Sequence, residues 1–168
     1  MKKYKGGYTT GVYDMFHIGH LNILKRVNEQ CDFLVVGVSD DELVQYEKYK
    51  TPVIPYIERV AIVAVIKYVD QVVPQVNKNN LCTWIKYHFD KIFVGSDWEG
   101  SPQWKKYEEQ FRGTEAEIVY LPYTKGIPNT QLTGVIKWFL DQFTEKPEGK
   151  VIMLLIPSFT VSCILIAA

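Results

Sequence analysis

Two of the three histidines in this 168-residue chain, His17 and His20, stand three positions apart with Gly19 between them. They follow a short β-prone run, Tyr8-Thr9-Thr10-Gly11-Val12-Tyr13, and sit where an amphipathic stretch begins. On a helix that spacing puts both rings on one side. A helix start also offers unpaired backbone N–H groups and a positive dipole end. Gly19 has no side chain, which would let an anion approach the backbone closely. Spacing alone leaves three chemistries open: phosphate binding, a His-x-x-His metal site, or simple helix capping. No third metal ligand stands nearby, because His88 lies far along the chain. Asp14 also has more than one reading: a helix cap, or support for a metal or for the histidines.

The elements that would position these groups alternate along the chain. His20 to Gln30 reads as a helix with Leu21, Ile23, Leu24 and Val27 on one side. Phe33 to Val38 is a continuous apolar run, the pattern of a strand buried on both faces. Gln45 to Lys50 reads as a loop carrying Lys48 and Lys50. Tyr56 to Tyr68 is expected to be a helix, and Val69 to Val73 a strand closed by Pro74. A helix from Leu81 to Phe89, a strand from Lys91 to Gly95 and a helix from Gln103 to Phe111 follow. Ile118 to Leu121 is the last clear strand and Thr130 to Phe143 the last helix. Such alternation predicts an α/β fold, a parallel sheet with helices on both faces. Ligands of such sheets bind outside the carboxyl ends of the strands.

Bulk properties narrow the partners. Lysine and arginine total 19, as do aspartate and glutamate, so the formal net charge is zero. That balance gives no general attraction to nucleic acid, and phosphate recognition must rest on a few placed groups. Cys31, Cys82 and Cys163 share no metal or redox spacing, which fits reduced thiols in the cytoplasm. The first residues carry no secretory signal. Residues 1–143 read as one domain and 144–168 as a tail, with an uncharged run from Val151 to Ala168. About 18 apolar residues is the lower limit for crossing a bilayer. Pro157, Ser158, Thr160 and Ser162 weaken that reading, so membrane contact through 151–168 and packing on protein both stay open.

Gly11-Val12-Tyr13-Asp14-Met15-Phe16-His17-Ile18-Gly19-His20 resembles the HxGH signature of the nucleotidyltransferases, whose fold is a Rossmann-like parallel sheet. Three further segments resemble the glycerol-3-phosphate cytidylyltransferases within that group. They are Glu58-Arg59 with Tyr68-Val69-Asp70-Gln71-Val72-Val73-Pro74, then Val94-Gly95-Ser96-Asp97-Trp98-Glu99-Gly100, then Val119-Tyr120-Leu121-Pro122-Tyr123-Thr124-Lys125-Gly126-Ile127. The resemblance runs from about Tyr8 to Ile136.

It implies transfer of CMP from CTP to a small phosphorylated alcohol, with glycerol 3-phosphate first and phosphoethanolamine, phosphocholine or a sugar phosphate as alternatives. A nucleotide-binding module without transfer activity is the remaining one. By the same resemblance His17, His20, Lys48 and Arg59 are catalytic. Val12, Tyr13, Asp14, His17, Gly19, His20, Lys50, Asp97, Tyr123, Thr124, Gly126, Ile127, Asn129 and Thr130 meet the nucleotide. Lys48 would take the acceptor, Asp14 could touch Mg2+ arriving with CTP, and the family's habit implies a homodimer. Arg59 could pair with a phosphate or an internal acid, since its guanidinium fork suits either. Asp97 is expected at the ribose, and Trp98 is expected to pack its loop. In the last segment Tyr123, Pro128 and Asn129 stand where the family usually has arginine, serine and threonine. Lys125 could restore charge but not the planar fork.

Overall fold

The computed structural model describes residues 4–122 and 134. The chain divides into one compact unit, Met1–Asn129, and a second from Thr130 to Ala168. The expected helix at 130–143, the boundary at 143 and the apolar tail all lie outside the described residues. Among the described residues no helix is long and apolar enough to cross a membrane.

The elements are β1 (Tyr4–Gly11), α1 (Ile18–Asn28), β2 (Cys31–Ser39), α2 (Asp41–Lys48), α3 (Tyr56–Ala64), β3 (Gln71–Gln75), α4 (Asn80–Tyr87), β4 (Lys91–Gly95), α5 (Pro102–Phe111) and β5 (Glu117–Leu121). The strands lie in the order β3-β2-β1-β4-β5, and every neighbouring pair is parallel. This is the expected α/β fold.

Successive side chains of a strand point to opposite faces, and β2 shows the consequence. Its Val35 belongs to a core shared with Trp104, Tyr107 and Phe111 of α5. Its Leu34, Val36 and Val38 belong to a second core, which receives Leu24 and Val27 of α1 and Val63 of α3. Burial on both sides is why this strand is apolar at nearly every position.

Three elements differ from expectation. The stretch read as a loop at Gln45–Lys50 is mostly helix, the end of α2. Asp40 caps that helix by accepting from Leu43 N at 2.7 Å, and Tyr49 ends it in the left-handed region at φ 51°. The acidic start Asp40-Asp41-Glu42 matches a helix N-terminus and carried the signal. Next, α3 stops at Ala64, short of Tyr68. Tight turns closed by Ile66 N to Val63 O and Val69 N to Ile66 O carry the chain into β3. Finally, Pro74 does not close its strand, because β3 continues to Gln75 with Pro74 opposite Val38. A proline is tolerated there because β3 is an edge strand.

Close approach at the sheet centre requires Gly7. A Cβ there would stand 2.7 Å from Cys31 Sγ and 3.0 Å from Phe93 Cε2, both on fully buried side chains. Gly7→Ala should therefore destabilise the fold by about 1–3 kcal/mol. A lower urea midpoint with an unchanged slope would report it.

Candidate active site

In this strand order β1 has β2 on one side and β4 on the other, so the chain reverses direction across the sheet at the β1–β4 boundary. Ligands of doubly wound sheets lodge in the crevice at that reversal. The loop leaving β1 carries the histidine pair, and the turn leaving β4 carries Asp97.

The β1–α1 loop is bent at two side-chain-bearing residues of positive φ, Tyr13 at 55° and Met15 at 44°. Each costs on the order of 1 kcal/mol for a residue with a Cβ. Burial offsets this: Tyr13 is buried among the α1–α3 core residues, and its ring meets the His20 ring edge-on at 5.3 Å. His17 then caps α1. Its Nδ1 accepts from Gly19 N at 3.0 Å, while the His17 backbone N–H points to His20 Nδ1 at 3.4 Å. The rings lie 4.0 Å apart, tilted by 31°.

The tautomer follows from those bonds. When Nδ1 accepts, a neutral imidazole carries its proton on Nε2. Both histidines therefore keep an Nε2–H donor with no protein partner among the described residues. Burial, then the neighbouring His17, push His20 down to about 4, and Asp14 opposes the shift. Near neutral pH the His20 ring is a neutral donor. Gly19 matters for a reason beyond access to the backbone. A Cβ there would stand 2.8 Å from His17 Cε1, so the glycine makes room for the capping ring.

Two residues hold this loop from outside. Asp14 accepts Val53 N at 3.0 Å and Ile54 N at 2.9 Å, one on each carboxylate oxygen. It ties the histidine loop to the segment before α3. It does not cap α1, because His17 does. Arg59 is 0% exposed. Its Nη1 donates to Val12 O and to Ser39 O at 2.8 Å, its Nε to Ile54 O at 2.9 Å, and its Nη2 to Asp41 at 2.6 Å. Of the two roles open to Arg59, the structure shows the internal acid, which corrects its assignment as a catalytic contact. It is a positioning residue, joining the ends of β1 and β2 to α2 and α3.

Lys48 closes α2 and Lys50 follows it, both exposed. Crowding of the Lys48 amino group, then repulsion from Lys78 and Lys50, lower its pKa, with Glu47 opposing. Asp97 sits in a single 3₁₀ turn, Ser96–Trp98, where its carboxylate folds back over Gly95 at the end of β4. Trp98 does not pack the loop as expected, being 45% exposed. Tyr123, Thr124, Lys125, Gly126, Ile127, Pro128, Asn129 and Thr130 lie outside the described residues. Sequence reasoning missed Arg26, which donates from α1 to Pro122 O at 2.6 Å and fixes the exit of β5. It also missed Lys78, which no motif marked.

This crevice, floored by a parallel sheet and flanked by helix-capping imidazoles, is that of an α/β nucleotidyltransferase. A family profile described as Cytidylyltransferase-like matches residues 8–155. The chain belongs to that family. A glycerol-3-phosphate cytidylyltransferase of Bacillus subtilis is 36% identical over 125 residues, 74% of this chain and 91% of that protein. An FAD synthase of Thermococcus kodakarensis is 31% identical over 138 residues, covering 80% and 91%. A solved lipopolysaccharide core biosynthesis protein of Thermoplasma volcanium shares the fold, with a TM-score of 0.61 and 23% identity. The alignment covers 73% of this chain and 98% of that one.

Two predictions follow from the geometry. Arg59→Leu removes four internal hydrogen bonds and leaves the Asp41 carboxylate without its cation. Because Asp41 is partly solvated, the loss should be roughly 2–4 kcal/mol, read as a drop in melting temperature. Arg59→Lys should not restore it, since one amino group cannot span those acceptors. The second concerns pH. His20 titrates lower folded than unfolded, so the unfolded chain binds more protons between about pH 6.5 and 4. Stability is full above that window and falls as pH drops through it. His20→Asn should flatten the slope in melts across pH 4–7.

Proposed function

We propose that the protein transfers CMP from CTP to a small phosphorylated alcohol, glycerol 3-phosphate before any other, and releases pyrophosphate. The observation that carries this reading is the pair of Nε2–H donors at the head of α1, left over after both Nδ1 atoms accept backbone N–H groups. The three relatives named glycerol-3-phosphate cytidylyltransferase, 34–36% identical to this chain, support the acceptor.

An oxygen of the acceptor's phosphate attacks the α-phosphorus of CTP. A new P–O bond forms, the bond to the β-phosphate bridge breaks, and pyrophosphate departs with the electron pair. The second pKa of a phosphomonoester is about 6, so the attacking group is already largely a dianion at neutral pH. No side chain needs to remove a proton. Catalysis is then positioning and stabilisation of charge on the phosphoryl oxygens and the leaving group.

His17 and His20 supply donors at that place. Lys48 receives the acceptor, while Lys50 and Asp97 serve the nucleotide, as do Val12, Tyr13 and Gly19 through the backbone around the imidazoles. By the family resemblance alone Thr124, Gly126, Ile127, Asn129 and Thr130 are further candidates for the nucleotide, with Tyr123 in the usual place of arginine.

Mg2+ would enter with CTP and neutralise its phosphate charge. The described residues contain no group of three His, Cys, Asp or Glu able to hold a metal alone. That fits an ion bound largely by substrate phosphates and water. Asp14, in the histidine loop, is the carboxylate that would touch that ion. The exposed Ile57 of α3 and Val65 just beyond its end, 71% and 81% accessible, support a homodimer.

Pyrophosphate release should be seen with CTP and glycerol 3-phosphate, and should be much weaker with ATP. His17→Ala and His20→Ala should each lower kcat by about 10²–10³. CTP binding without release from any phosphorylated alcohol would point to a binding module instead. Release with ATP and not CTP would point to the adenylyl chemistry that the FAD synthase relatives' name implies.

A further inference from the structure

A second polar cluster lies at the carboxyl ends of β1, β2 and β3, away from the histidines. Thr10 and Ser39 hydroxyls both donate to Gln75 Oε1, at 2.5 and 2.6 Å. Gln75 is only 7% exposed, and its carboxamide N–H groups meet no partner among the described residues. Beneath it on the same face of the sheet, the buried Tyr8 hydroxyl lies near Thr10 and Thr83 without completing a hydrogen bond to either. Buried polar groups rarely go unpaired, because each costs about 1–3 kcal/mol. The unpaired Tyr8 hydroxyl, below a Gln75 amide end that has no protein partner among the described residues, marks a place at the ligand end of the parallel sheet where a polar molecule completes the bonding.

Three residues beyond Gln75 stands Lys78. Its backbone carbonyl accepts from Tyr107 Oη at 2.7 Å and from Asn80 N at 3.0 Å, so the base of its side chain is fixed. Its amino group lies 2.7 Å from Glu47 Oε2. That contact joins the β3–α4 connection to the last turn of α2, which ends in Lys48. Lys78 and Lys50 both repel the Lys48 proton. Lys48 thus feels the repulsion of both Lys50 and Lys78, while Glu47, paired with Lys78, offsets only part of that positive charge. A phosphate dianion would balance the rest.

We infer that Lys78 and Gln75 recognise the acceptor: Lys78 joins Lys48 on its phosphate dianion, and the free carboxamide end of Gln75 bonds a hydroxyl of its carbon chain. The inference rests on the CMP-transfer reading and narrows it. A site with surplus positive charge and amide donors suits a neutral polyol phosphate. It disfavours an acceptor with an ammonium group, because Glu47 is already paired with Lys78. The site therefore favours glycerol-like acceptors over phosphoethanolamine and phosphocholine.

The test is steady-state kinetics on the full chain, with glycerol 3-phosphate, n-propyl phosphate and phosphoethanolamine as acceptors. Lys78→Met should raise KM for glycerol 3-phosphate about tenfold while KM for CTP stays within about twofold. The wild type should prefer glycerol 3-phosphate to n-propyl phosphate, and Gln75→Met should reduce that preference about tenfold. Melting curves check that both variants fold. Should Gln75→Met fail to fold, Lys78→Met and the three acceptors decide the question. Turnover by the wild type with acceptor KM unchanged in both variants overturns the inference alone, as does equal turnover of phosphoethanolamine. No pyrophosphate release by the wild type from any phosphorylated alcohol overturns the transfer reading and this inference together.

Discussion

The loop between β1 and α1 adopts a shape that its own residues disfavour. Tyr13 and Met15 both occupy the left-handed region, and neither is glycine. Two interactions from elsewhere in the chain keep them there. The Asp14 carboxylate is bound to the backbone ahead of α3, and the Arg59 guanidinium reaches Val12 O from within α3. Local strain of this kind persists only where surrounding structure over-determines it. The orientation of both histidines, and hence the direction of their donors, depends on those two attachments.

The same attachments extend to α2. Arg59 also bonds Asp41 at the start of α2, and α2 ends at Lys48, the expected acceptor lysine. Asp41 in turn accepts Tyr56 N at the head of α3 at 3.0 Å. A single buried cation therefore spans the histidine loop, the end of β2 and the start of the helix that ends at Lys48. Its burial is sustained because every guanidinium nitrogen donates. Precise placement on both sides of the reacting phosphorus is what a phosphoryl transfer without a covalent intermediate requires.

Much of this frame was legible in the residues. The strands at Phe33–Val38 and Lys91–Gly95 announce themselves by apolar runs, because burial on both faces removes the need for alternation. The histidine pair was legible by spacing, whereas α2 went unread because its lysine-rich end suggested a loop, although its acidic start matches a helix N-terminus. Cross-chain partnerships were not legible. Nothing local tells whether Asp14 will cap its own helix or hold a segment 40 residues away. Nothing in Thr10, Ser39 or Gln75 reveals that parallel register brings them together. Gly19 pointed to the right place for an incomplete reason, since ring packing as well as backbone access excludes a Cβ there.

The central claim is that both imidazoles keep Nδ1 as a backbone acceptor and present Nε2–H to the nucleotide. Nitrogen-15 NMR of histidine-labelled protein at neutral pH reads each ring nitrogen separately. The account predicts Nε2-protonated, neutral rings for His17 and His20 without ligand, and displaced Nε2 signals for both on adding CTP with Mg2+. The opposite tautomer in the free protein, or two rings unmoved at saturating CTP, would contradict it.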